Sequence, residues 1–254
     1  MNTIIVIPAR YDSTRFPGKP LAMIGNKSML QHVYERACNA RASKIIIATD
    51  DARIEAAAKA FGADVCMTSP DHQSGTERIA EVVEKYGILD HTIVINLQGD
   101  EPFIPPTMLN QVADLLQLHP DCGMSTLCHR IETRDEIFNP HTVKVVMDKD
   151  GYALTFSRAP IPWNRHVFDD ISDGSYFSGD YFRHIGLYAY TAGFLKQYIQ
   201  MEPCEIEKIE GLEQLRVLWH GEKIRVGITD DTMGIGIDTP EDLELANTWY
   251  SHNG

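Results

Sequence analysis

The sequence has no apolar run close to the roughly 20 residues that a membrane-spanning helix needs. It does not open on a basic segment followed by an apolar stretch and a cleavage site. A candidate strand begins almost at once, at Ile4, so a cytoplasmic protein without a leader is expected. The five cysteines, Cys38, Cys66, Cys122, Cys128 and Cys204, are scattered and form no C-x-x-C pair. That pattern reads as reduced thiols, with neither a disulfide frame nor a zinc site. Positive charge is scarce: 23 Lys and Arg stand against 36 Asp and Glu, a net charge of −13 over 254 residues. Such a balance argues against a nucleic-acid binder, which carries a basic stripe. It leaves a nucleotide substrate open, because only the local field of a pocket acts on a bound anion. Two common phosphate motifs are missing as well. Gly18-Lys19 is followed by Pro20, and Ser13 stands where a Walker A loop has its first glycine; no G-x-G-x-x-G follows the first strand.

What is present is an ordinary globular composition, 43% hydrophobic, in a chain long enough for one large domain or two small ones. Ile4 to Ile7 are four apolar residues in a row and predict a strand buried on both faces, ended by Pro8, which has no N–H to donate. Strands are predicted over 44–48, 64–67 and 92–97, alternating with helices over 28–40, 51–61, 77–86 and 107–119. This alternation implies a parallel α/β sheet. A strand over 123–131 follows. Then Val143 to Ser157, with an Asp150-Gly151 turn, predicts a hairpin, and parallel alternation stops there. The remainder reads as a smaller mixed-sheet lobe: strands over 183–190 and 223–228, helices over 194–200 and 207–218, and a long irregular loop over 159–180.

Three loops carry candidate chemistry. The first, after strand one, holds Arg10, Arg15 and Lys19 with the hydroxyls of Tyr11, Ser13 and Thr14. Three cations on a short loop repel one another unless an anion lies among them. A loop at the carboxyl end of a parallel strand is where such sheets bind ligands, and a polyphosphate suits forked Arg and point-charged Lys. The second, Asp71 to Arg78, is polar and opens a helix; by itself it reads as a capped helix start, Ser74 through Glu77, before it reads as a ligand site. His72 there reads as structural or exposed. The third, Gln98 to Pro102, ends the 92–97 strand. Asp100 could hold Mg²⁺ beside a triphosphate, or neutralise Arg10, or cap a helix; Glu101 reads as the lesser candidate for that ion, or as a cap. Near the C-terminus, Asp238 precedes a helix start at Thr239-Pro240-Glu241-Asp242.

Taken together, these stretches resemble the sugar-activating cytidylyltransferases, and among them the CMP-Kdo synthetase family (Kdo is 3-deoxy-manno-octulosonate). The resemblance is carried by I-P-A-R-Y-D-S-T-R-F-P-G-K-P-L from Ile7, A-T-D ending at Asp50, D-H-Q-S-G-T-E-R from Asp71 and N-L-Q-G-D-E-P from Asn96. Further on it rests on F-N-P from Phe138, F-S-R-A-P-I-P-W from Phe156, R-H-I-G from Arg183, L-E-Q-L-R-V-L from Leu212 and I-D-T-P-E-D-L from Ile237. The first loop alone would point only to the wider nucleotidyltransferases.

The resemblance implies a Rossmann-like nucleotide-diphospho-sugar transferase fold in one catalytic domain, 1–254. Residues 1–132 would mainly bind nucleotide, and 133–254 would mainly bind sugar and form a homodimer, with Glu213 to Trp219 at the subunit face. The implied reaction is CTP + Kdo → CMP-Kdo + diphosphate, for lipopolysaccharide biosynthesis. Mg²⁺ would sit on Asp100 and Asp238, and Arg10 and Lys19 would stabilise charge on the phosphoryl oxygens. Pro8, Ala9, Arg10, Ser13, Arg15 and Lys19 would surround the triphosphate end, and Ser74, Gly75 and Arg78 the cytosine. Gln98, Arg158, Arg165, His184, Tyr188, Glu213 and Gln214 would contact the sugar. Asn164 and His166, beside Arg165, stand where the family leads one to expect aspartates. Two other readings remain: a relative that loads a different acid sugar, and a nucleotide sensor without turnover.

Overall fold

Along the first strand, Ile5 and Ile7 face one way and Ile4 and Val6 the other, and all four are buried. The computed structural model, which describes residues 2–12, 16–165, 168, 180–232 and 234–253, thus has helices on both faces of its central sheet. The chain runs β1 (Thr3–Pro8), a 3-10 turn at Lys19–Leu21, β2 (Met23–Ile24), β3 (Lys27–Ser28), α1 (Met29–Cys38), β4 (Lys44–Thr49), α2 (Ala52–Ala60) and β5 (Asp64–Met67). It continues through α3 (Gly75–Lys85), β6 (Ile93–Asn96), α4 (Pro106–Leu118), β7 (Met124–Arg130), α5 (Arg134–Phe138), β8 (Lys144–Met147) and β9 (Ala153–Ser157). The last elements are β10 (Phe182–Thr191), α6 (Ala192–Tyr198), α7 (Glu205–Glu210), α8 (Gln214–Trp219), β11 (Ile224–Ile228) and α9 (Pro240–Asn253).

Among the described residues the main sheet has nine strands, with the path β11-β7-β10-β6-β1-β4-β5 and the β8–β9 hairpin attached to β10. β1 pairs in parallel with β4 and β6, and β4 with β5. Ile5 and Ile7 pack with Leu30, Val33, Ile54 and Met108 from α1, α2 and α4. Ile4 and Val6 pack with Ile79, Val82 and Val83 of α3 and Leu195 of α6. Each such side chain contributes roughly 1.5–3 kcal/mol by leaving water.

The predicted strands and helices of the first 131 residues are present, most of them shifted by a residue or two at their ends. Beyond that point two differences stand out. The mixed part is continuous with the parallel part: β10 lies antiparallel between β6 and β7, so the two sequence halves interleave in one sheet. The helix expected over 207–218 is two helices, α7 and α8, because Gly211 takes a left-handed φ of 63° and ends the first. The β2–β3 hairpin and α5 are additional to the expected elements. Of the loop at 159–180, only residues 159–165, 168 and 180 fall among those described.

A separate apolar cluster determines where the C-terminus goes. Ile24, Met29, Phe103, Ile237 and Ala246 are buried together, with Leu243 and Tyr250 against them. Asn247 adds polar ties: its Oδ1 accepts from the Gly25 N–H at 2.9 Å and its Nδ2 donates to the Met23 carbonyl at 3.1 Å. The short hairpin is therefore the seat of α9, and the segment before α9 is drawn to the carboxyl ends of β1 and β6.

Candidate active site

The carboxyl ends of β1 and β6 open into a cavity of about 230 Å³. Pro8, Ala9 and Arg10 line it from β1, Lys19 and Pro20 from the 3-10 turn, and Gln98, Gly99 and Asp100 from the end of β6. His72, Ser74, Gly75 and Arg78 close one side, and Asp238 the other. Gly99 is favoured by close approach: a Cβ there would lie 3.1 Å from the Pro8 carbonyl oxygen. Of the predicted nucleotide and metal residues, Ser13 and Arg15 lie outside the described residues; all the others line this cavity.

Lys19 occupies the centre of the acidic side. Its Nζ lies 2.7 Å from Asp100 Oδ2 and 3.2 Å from Asp238 Oδ1, and its side chain is only 12% exposed. The two acids come together through the backbone, where the Ile237 N–H donates to the Asp100 carbonyl at 3.1 Å. Asp242 accepts from the Asp238 and Thr239 N–H groups and so caps the start of α9. Glu101, read from the sequence as a cap, stands beside the pair. Burial, then the charges of Asp100 and Asp238, push its carboxyl up to about 8.

This pair tests the fit of a metal ion. The ammonium shows that the two carboxylates can hold a cation between them. Among the described residues no three His, Cys, Asp or Glu side chains are grouped to hold one by themselves. Two carboxylates, with phosphate oxygens and water completing the shell, is the donor set that Mg²⁺ takes beside a nucleotide. The residues present fit that ion.

On the opposite wall, Ser74 is the N-cap of α3, its hydroxyl accepting from the Glu77 N–H at 3.2 Å. The other amides of that helix start would suit an acceptor-rich ligand. Arg78 is buried one turn on, donating to the Thr68 hydroxyl and to Asp50 Oδ2 at 3.0 Å, so its guanidinium is fixed. His72, expected to be structural or exposed, is half-buried on the cavity wall with Nε2 2.5 Å from Glu81. Its neighbours in the S-G-T-E-R run, and Glu77 and Glu81 at helical spacing below it, are the signal that could have marked it.

Behind the cavity runs a buried polar network. Gln98 donates to Asn96 Oδ1 at 2.8 Å, and Thr76 donates to Glu213 at 3.1 Å. Burial raises the Glu213 carboxyl above its ordinary value. Tyr188 stands opposite Asn96 in the sheet, and His184, beside it with ring centroids 5.4 Å apart, is pushed down to about 3 by burial and is neutral. Asn96 Nδ2 and Gln214 Nε2 are buried with no acceptor among the described residues. The structure thus brings Gln98, His184, Tyr188, Glu213 and Gln214 to one region. It does not bring Arg158 or Arg165 to the cavity wall. Arg158 donates to the Glu210 carbonyl at 2.7 Å and the Pro140 carbonyl at 3.1 Å, and Arg165 is exposed.

Comparison with known proteins gives a consistent result. The cytidylyltransferase family pattern matches residues 4–224. The chain is 57% identical over 244 residues to the 3-deoxy-manno-octulosonate cytidylyltransferase of Photobacterium profundum, covering 96% of this chain and 97% of that one. It is 56% identical over 245 residues to the protein of the same name from Aliivibrio fischeri, with 96% and 97% covered. A solved CMP:2-keto-3-deoxy-manno-octonic acid synthetase complexed with CTP superposes with a TM-score of 0.91 at 41% identity, over 100% of both chains.

Proposed function

The chain belongs to the 3-deoxy-manno-octulosonate cytidylyltransferases, and on that premise we propose that it joins CTP and Kdo into CMP-Kdo and diphosphate. One observation carries the reading. Arg10, Lys19, the start of α3 and the Asp100–Asp238 pair, from four separate stretches of sequence, face a single cavity.

In this reading the α3 amides, Ser74 and the fixed Arg78 hold the cytosine, and Arg10 and Lys19 take the triphosphate oxygens. Asp100 and Asp238 hold Mg²⁺. When bound, the ion neutralises charge between two anionic substrates and lowers the pKa of the sugar hydroxyl. The anomeric hydroxyl of Kdo gives up its proton to solvent and its oxygen bonds to the α-phosphorus as the bond from that phosphorus to diphosphate breaks. Arg10 and Lys19 stabilise the charge that develops there, each such contact being worth ~3 kcal/mol.

The sugar would sit against Gln98 and the network behind it, where the buried amides of Asn96 and Gln214 offer donors to hydroxyls and carboxylate. That placement supports Gln98, His184, Tyr188, Glu213 and Gln214 as sugar residues; Arg158 and Arg165 would need to move to join them. A homodimer, a cytoplasmic location and a role in lipopolysaccharide biosynthesis belong to the same proposal. The exposed Ile206, Ile209 and Trp219 on α7 and α8 support a subunit face there.

The test is diphosphate release on mixing the protein with CTP, Mg²⁺ and a panel of acid sugars. Release with Kdo above all others is expected. Folded protein that releases none would favour a sensor.

A further inference from the structure

Lys19 has two jobs that cannot be done at once. A lysine that grips a triphosphate should point into the cavity, yet its ammonium spans the two carboxylates that would ligate the metal, at 2.7 and 3.2 Å. A magnesium ion sits about 2.0–2.1 Å from each carboxylate oxygen it binds. An ion on these oxygens would therefore crowd the ammonium, and two like charges at that separation repel strongly. We propose that Lys19 is a tethered placeholder for the metal: its ammonium and a divalent cation compete for Asp100 and Asp238, and a polyphosphate decides the competition by drawing Lys19 away. The inference rests on the reading that these two acids are the metal ligands.

The local structure is built for such a swing. The turn that carries Lys19 is fixed: Gly18 has a φ of 73°, the Lys19 N–H donates to the Phe16 carbonyl at 3.2 Å, the Leu21 N–H donates to the Gly18 carbonyl at 2.9 Å, and Pro20 is buried. The anchor stays while the four-carbon stem turns. Arg10 stands on the same cavity wall, so a polyphosphate drawn there offers the displaced ammonium new oxygens. Nucleotide and metal then favour each other's binding, and by linkage the coupling is reciprocal. Without nucleotide the acids stay neutralised by the protein's own cation.

The experiment is a Mn²⁺ titration of the full chain, followed by electron paramagnetic resonance of the free ion. Without nucleotide, Lys19→Met is expected to bind Mn²⁺ about tenfold more tightly than wild type, and the gain is expected to vanish in the Lys19→Met, Asp238→Asn double variant. Equal affinity of Lys19→Met and wild type overturns the placeholder while leaving the metal ligands standing. Mn²⁺ uptake that ignores Asp238→Asn, with and without CTP, removes the metal ligands and the placeholder with them. A second measurement needs no variant. Acetic anhydride labelling of wild-type protein, read by peptide mass spectrometry, should rise several-fold at Lys19 when Mn²⁺ saturates the site, and stay constant at the exposed Lys149. Unchanged labelling of Lys19 with Mn²⁺ bound also overturns the proposal.

Discussion

The Ile237 N–H donates to the Asp100 carbonyl at 3.1 Å, and through that bond the loop after β6 and the loop before α9 become one acidic wall. Asp100 is delivered by the sheet, and Asp238 by the docking of α9 on the β2–β3 hairpin. Asp100→Asn and Asp238→Asn should each keep the fold, since both side chains are partly exposed at the cavity, and should each lower diphosphate release on the order of a hundredfold or more. Near-wild-type release from either folded variant removes that residue from the metal.

Placement of Asp238 depends on apolar packing at one remove from the chemistry. Ile237 is buried with Ile24, Met29, Phe103 and Ala246. Ile237→Ala should cost about 2–4 kcal/mol in stability by leaving a cavity. It should also lower turnover in protein that is still folded, because the Asp238 backbone loses its seat. Denaturant melts and saturating-substrate rates check the two separately; full turnover at full occupancy of the folded state would show that the cluster serves stability alone.

Much of this site is legible in the sequence, for a physical reason. Buried parallel strands announce themselves as apolar runs, and their carboxyl ends are where such sheets open, so it follows from pattern that Pro8, Ala9, Arg10, Lys19, Gln98, Gly99 and Asp100 line one cavity. The partnership of Asp238 with Asp100 does not. It depends on α9 packing against the two-residue strands β2 and β3, which are too short to show any periodicity. β10 was legible as a strand but not as one threaded between β6 and β7, since local alternation carries no information about sheet order. Lys19 was legible as a cation of the first loop; that it rests on the two acids requires their coordinates in space.

The cavity wall at the start of α3 has a pH-dependent support. Burial alone would raise the Glu81 carboxyl, but the Lys85 ammonium, the Ser69 N–H and His72 outweigh it and hold the group at about 2. A carboxyl depressed on folding stabilises the protein above its unfolded value, near 4.3, and that contribution is lost as pH falls through about 2. Glu81→Gln should cost about 1–2 kcal/mol near neutrality and flatten the stability profile between those two pH values. It should also raise the KM for CTP, because His72 loses its anchor. Urea melts across that pH range decide it: an acid limb as steep as wild type would mean the pairing contributes nothing.

Glu213 behaves in the opposite sense, and that separates its structural role from its proposed one. Burial raises its carboxyl, against weaker opposing pulls from the Thr76 hydroxyl and Arg216. For an acid raised on folding, the neutral form is the favoured one, so its contribution is present at low pH and is lost as pH rises through the raised value. Glutamine has nearly the shape of the neutral acid, and Glu213→Gln should therefore be at least as stable as wild type at pH 8. If the ionised group accepts a hydroxyl of Kdo, the same substitution should raise the KM for Kdo roughly tenfold or more, the worth of a hydrogen bond to a charged group, while the KM for CTP stays put. Steady-state kinetics with each substrate varied in turn would show the split. A KM for Kdo equal to wild type, in a variant this stable, would take Glu213 out of the sugar site and leave it a buried partner of Thr76.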